Sequence, residues 1–131
     1  MNPTLRAIID GLKQYGDHEN GSPEYCFQVK DEPFMAFDAE WHEARPGTGV
    51  LYLSYSFIQN SDVCCDPLLG FFIENNELVR ISYDHWLGLF DGNVIDDPYP
   101  LEFAELVWRR HMKDRLVNAE AVRSNVRQED E

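Results

Sequence analysis

The sequence predicts an α+β domain: a four- to five-stranded antiparallel meander covered on one face by N- and C-terminal helices, in the order α-β-β-β-β-α. Three observations predict it. Apolar residues recur every three or four positions near both ends of the chain. Between those ends, apolar and polar residues alternate over several runs, the mark of strands with one buried face. The runs are separated by short turn-forming stretches, which suit antiparallel neighbours rather than long crossovers.

The first helix spans Pro3 to Tyr15, where Leu5, Ile8, Ile9 and Leu12 share a face and Pro3 fits a first turn. Gly16 is expected to close it in a left-handed cap, and GDHENGSPE (16–24) reads as loop. EYCFQVK is a short strand. In MAFDAEWHE, Met35, Phe37, Ala39 and Trp41 alternate with Ala36, Asp38, Glu40 and His42. After the turn-forming RPGTG, VLYLSYSFIQN sets Leu51, Leu53, Tyr55 and Phe57 on one face and Tyr52, Ser54 and Ser56 on the other. LLGFFIE and ELVRISY form a hairpin joined at Asn75 and Asn76, both tolerant of positive φ.

From Asp84 to Tyr99 no period persists, which predicts a long surface connection with at most one turn of helix. The last helix starts near Pro100 with an apolar stripe of Leu101, Ala104, Val107, Trp108, Met112 and Leu116. No linker divides the chain, so one domain is expected over residues 1–119, followed by an acidic, frayed tail over 120–131.

Charge narrows the function classes. With 24 acidic residues against 11 Lys plus Arg, the net charge of -13 disfavours direct binding to nucleic acid or anionic lipid. The same field suits a protein partner with a basic surface, or simply solubility in a salt-rich habitat. No run approaches the length of a membrane span and the first residues lack a basic, then apolar, leader, so a cytoplasmic protein with no membrane partner is expected. Three cysteines without a CxxC spacing do not describe a disulfide framework.

Three residue sets are candidates for chemistry. QNSDVCCDP (59–67) reads as a corner between two central strands, with Asn60, Asp62, Asp66 and Pro67 as turn formers. Its adjacent Cys64 and Cys65 point to opposite sides of an extended chain and are flanked by aspartates, which disfavours both a zinc site and a reactive thiolate. Asp38, Glu40 and His42 project from one face of a strand, either as a carboxylate and imidazole set for metal or acid-base work or as a solvated sheet face. Tyr83, Trp86, Leu87, Phe90 and Tyr99 lie in or beside the irregular segment, where they form a recognition surface or fold back over the core. P-loop and GxSxG motifs are absent, and the chain names no catalytic residue and no cofactor.

SYSFIQNSDVCCDPLLGFFIENNELVRISY, HWLGLFDG and the terminal FAELVWRRHMKDRL together resemble an uncharacterised prokaryotic domain family with bacterial, plasmid and phage members and a "YxQNGDxxxDP... NLGLY" pattern. The likeness covers residues 33–117; Gln59, Asn60, Asp62, Asp66, Pro67, Ser82, Tyr83, Leu87, Gly88 and Leu89 fall on matching positions. Tyr55 and Ile58 stand where the pattern carries histidine and glutamate, and Ser61 replaces its glycine. The resemblance implies no known activity; members near mobile elements make an accessory or host-interaction role reasonable.

The expected function is therefore a non-enzymatic acidic interaction module for a basic protein partner. Its sharpest form is a phage or plasmid accessory, an anti-defence inhibitor that mimics DNA charge against a nucleic-acid-handling protein. The alternative is a small metal-binding protein or hydrolase built on Asp38, Glu40 and His42. Both monomer and homodimer fit the sequence, the latter through a sheet edge or the last helix.

Overall fold

The computed structural model describes residues 1–32, 35–59, 62–85, 88–90 and 97–114, with side chains described for 1–29, 36–56, 67–82 and 97–114. Helix α1 runs from Pro3 to Tyr15. It begins where it does because the Asn2 side chain accepts hydrogen bonds from the Thr4 and Leu5 amides at 2.8 and 3.2 Å, satisfying two otherwise orphaned donors. Leu5, Ile8 and Leu12 are fully buried, so the expected face is the one that packs. At its C-terminal end, Lys13 Nζ donates to Glu43 Oε1 at 2.9 Å, and this bond holds the ammonium pKa above its ordinary value.

Gly16 does not adopt the expected left-handed cap: its φ of -70° and ψ of 164° are extended. Its need for glycine is steric instead, because a Cβ there would sit 2.6 Å from the Leu12 carbonyl oxygen and 3.1 Å from that of Cys26.

The α+β architecture is as the sequence predicts. Strands β1 (Glu24–Glu32), β2 (Met35–Arg45), β3 (Thr48–Gln59), β4 (Asp62–Glu74) and β5 (Glu77–His85) form the long antiparallel meander. A three-residue β6 (Gly88–Phe90) extends it. The segment read as an uninterrupted connection from Asp84 thus contributes the end of β5 and all of β6, with Tyr83 opposite Phe90 and His85 opposite Gly88. Three residues are too few for any alternation to register.

The stretch 59–67 also needs correction. Gln59 pairs with Asp62, and Cys64, Cys65, Asp66 and Pro67 all belong to β4 rather than to a corner. The register shifts between Ser54 and Ser56: Ser54 faces Leu68 while Ser56 faces Cys65. Asp66 and Pro67 therefore stand against Tyr55 alone, and a bulge is where a strand tolerates a proline, which has no amide to donate. Asn60 lies outside the described residues.

Asn75 and Asn76, at φ 50° and 63°, close the β4–β5 hairpin as predicted. Phe37, Ala39 and Trp41 of β2, Leu51 and Leu53 of β3, Leu69, Phe71 and Ile73 of β4 and Ile81 of β5 bury one face of the sheet. Helix α2 (Tyr99–Val107) covers that face together with α1, contributing Phe103, Ala104 and Val107.

The last helix continues as a π-helical turn, Trp108–Met112. Its wider winding brings both His111 and Met112 inward, at 2% and 0% exposure. The predicted stripe omitted His111 because it assumed a constant helical period, and it also missed Phe103, which that period places beside Pro100, Ala104 and Val107; Leu116 and the tail lie outside the described residues. His111 stacks on Phe37 with centroids 4.9 Å apart and shares a 2.7 Å hydrogen bond between Nε2 and the Tyr55 hydroxyl. No helix among the described residues is long and apolar enough to cross a membrane.

Candidate functional site

Strand alternation leaves the second face of the sheet free of the two helices, and there the register assembles a groove. Residues paired across strands share a face, so Gln28 of β1 stands beside Asp38 of β2, and Asp38 beside Ser54 of β3; likewise Glu24 meets His42, and Glu40 meets Tyr52. The resulting groove has a volume of about 520 Å³ and is lined by Gln28, Asp38, Glu40, His42, Tyr52, Ser54, Ser56 and Leu68.

The carboxylates in it are held in place. Asp38 accepts from Gln28 Nε2 at 2.7 Å through one oxygen and from Ser56 Oγ at 3.0 Å through the other. His42 sits between two acids, with Nδ1 3.3 Å from Glu24 Oε1 and Nε2 3.1 Å from Glu40 Oε2. A neutral ring donates to one of them and a protonated ring to both. The Tyr52 ring meets the His42 imidazole edge-on, with centroids 5.3 Å apart and planes at 86°.

Cys26, paired with Glu40 on this face, is poorly suited to nucleophilic work. Burial raises its thiol pKa, and the charges of Glu40, Glu24, Asp17 and Asp38 raise it further.

The predicted trio Asp38, Glu40 and His42 is thus brought together, but as a hydrogen-bonded wall. Both ring nitrogens of His42 face carboxylates within the chain, and among the described residues no three His, Cys, Asp or Glu side chains are arranged to hold a metal ion. Among the residues with described side chains, none of the other predicted sets lines the groove. Tyr99 opens α2, where its amide donates to Asp97 Oδ1 at 3.0 Å and its ring lies 6.2 Å from Phe103, on the helix-covered side. Tyr83 and Phe90 are placed by their backbone in β5 and β6, while Trp86 and Leu87 lie outside the described residues.

Sequence reasoning did not name Gln28, Tyr52, Ser54, Ser56 and Leu68 as site residues. The alternation in β3 had placed Tyr52, Ser54 and Ser56 on a common face; only the strand register puts them against Asp38 and Glu40. Comparison with protein-family models, curated proteins and solved structures finds no match to this chain.

Proposed function

We propose that this chain is a non-enzymatic interaction module that receives a basic protein partner on the sheet face opposite α1 and α2. The observation that carries the reading is the groove itself: Asp38 and Glu40 form its wall, Glu24 adjoins it through His42, and among the residues with described side chains neither Lys nor Arg lines it. Its charge has the sign of the whole molecule, -13, so long-range attraction and local contact favour the same class of partner. An inhibitor carried by a phage or plasmid and directed at a nucleic-acid-handling protein is the sharper version, since such targets present basic surfaces.

The test is binding to a panel of basic nucleic-acid-binding proteins across a salt series, with an equally sized acidic protein as control. Affinity should fall as salt rises. The double variant Asp38→Asn/Glu40→Gln should weaken it by up to about thirtyfold, because exposed ion pairs contribute roughly 0.2–1 kcal/mol each. Binding that ignores both salt and the double variant rejects the reading.

A further inference from the structure

Resting on that reading, we infer that the groove selects an arginine side chain from the partner, seating its guanidinium between Asp38 and Glu40 against the Ser54 hydroxyl and the Tyr52 ring. The Ser54 side chain supplies an observation independent of the acids. Ser54 is only 7% exposed and lines the groove, yet its hydroxyl makes no hydrogen bond among the described residues. The oxygen is not sealed from solvent as the Trp41 indole nitrogen is, so it presents an unused acceptor that a ligand in the groove can reach.

The two carboxylates add direction. Asp38 is fixed by Gln28 and Ser56, which occupy one lone pair on each oxygen and leave the remaining acceptor capacity pre-oriented. Glu40 spends Oε2 on His42, and its second oxygen makes no hydrogen bond among the described residues. Two positions apart on an extended strand, these residues are separated by about 6.7 Å along it, a span that one flat guanidinium bridges with a donor edge toward each.

An ammonium fits this arrangement less well. It is a compact, strongly hydrated charge with three donors, whereas guanidinium has five donors in a fixed plane and stacks on aromatic rings. The same sheet face already holds one guanidinium over an aromatic ring: Arg80 Cζ lies 5.2 Å from the centre of the Phe72 ring. Tyr52 offers a comparable aromatic surface inside the groove, and about 520 Å³ admits an arginine together with parts of its neighbours in a peptide.

The experiment titrates the full chain with three labelled peptides identical except for a central Arg, Lys or citrulline, and with free arginine. The Arg peptide should bind at least about tenfold more tightly than the Lys peptide and the citrulline peptide should not bind, since citrulline keeps the shape and loses the charge. Asp38→Asn should abolish the preference and Ser54→Ala should reduce Arg binding several-fold, with melting temperatures confirming that both variants fold. Equal Arg and Lys affinities overturn arginine selection while leaving the basic-partner reading intact. No peptide binding, alongside retained salt-sensitive binding of basic proteins, overturns the groove as the arginine site; loss of both defeats the functional proposal as well. Free arginine binding as tightly as the peptide overturns a partner segment as the ligand.

Discussion

Leu53 and Ser54 are neighbours in β3 and are exposed to nearly the same extent, 0% and 7%, yet they are buried by different things. Leu53 lies in the apolar cluster under the two helices. Ser54 lies on the opposite face, where its surroundings are the side chains of the groove. One face of the sheet is therefore held by apolar area removed from water, the other by hydrogen bonds that fix charged groups at a surface. The first arrangement supplies stability and the second supplies a prearranged set of acceptors, so substitutions on the two faces should be read out in different measurements.

The largest expected effect tests that division directly. Phe71 is fully buried on the covered face, and Phe71→Ala should cost about 3–5 kcal/mol in urea unfolding, from lost transfer energy and the cavity left behind. Tyr52→Ala, on the groove side of β3, should cost about half as much or less, because its ring is only partly buried. Equal losses would mean that the groove face is packed like a core, and the distinction would fail.

A smaller effect probes where the two faces meet at a strand end. Gly49 lies opposite Glu43 at the start of β3, and a Cβ there would collide with the His42 carbonyl oxygen and stand 2.9 Å from the Trp41 ring. Backbone and a buried indole yield little, so Gly49→Ala should destabilise by about 1–3 kcal/mol, seen as a lower urea midpoint with an unchanged slope. A neutral result would show that Trp41 has room to shift, and that packing on the covered face is looser than its burial indicates.

The covered face was readable from the sequence because its signal is periodic and local. Alternation in MAFDAEWHE and VLYLSYSFIQN assigns Trp41 and Leu53 inward without knowledge of any partner strand. The groove was half readable for the same reason: Asp38, Glu40 and His42 were placed on one face, but what they do there depends on register. Gln28 reaches Asp38 across β1, and Ser56 reaches it across β3 next to a bulge that shifts the pairing of everything beyond it. Neither a bulge at Asp66 and Pro67 nor a π-helical turn at Trp108 leaves a periodic trace, which is why the corner was drawn too long and His111 was left out of the core.

The last and smallest effect changes a reaction rate on the groove face and leaves the core untouched. Cys26 stands opposite Glu40 in β2, and its backbone also pairs with Asp17. Its thiol is pushed up first by burial and then by the charges of Glu40, Glu24, Asp17 and Asp38. Alkylation by iodoacetamide, followed at the Cys26 peptide by mass spectrometry, should therefore set in at higher pH in the folded chain than in urea. Because the folded thiol keeps its proton longer than the unfolded one, the stability linked to this group is fully present below the unfolded pKa and is lost as pH rises through the folded pKa. Glu40→Gln should move the onset of alkylation down, but only part of the way, since burial is the larger cause and survives the substitution. A complete return to the unfolded profile would place the cause in charge alone, and an unmoved profile would separate Cys26 from the acidic groove that its pairing with Glu40 assigns it to.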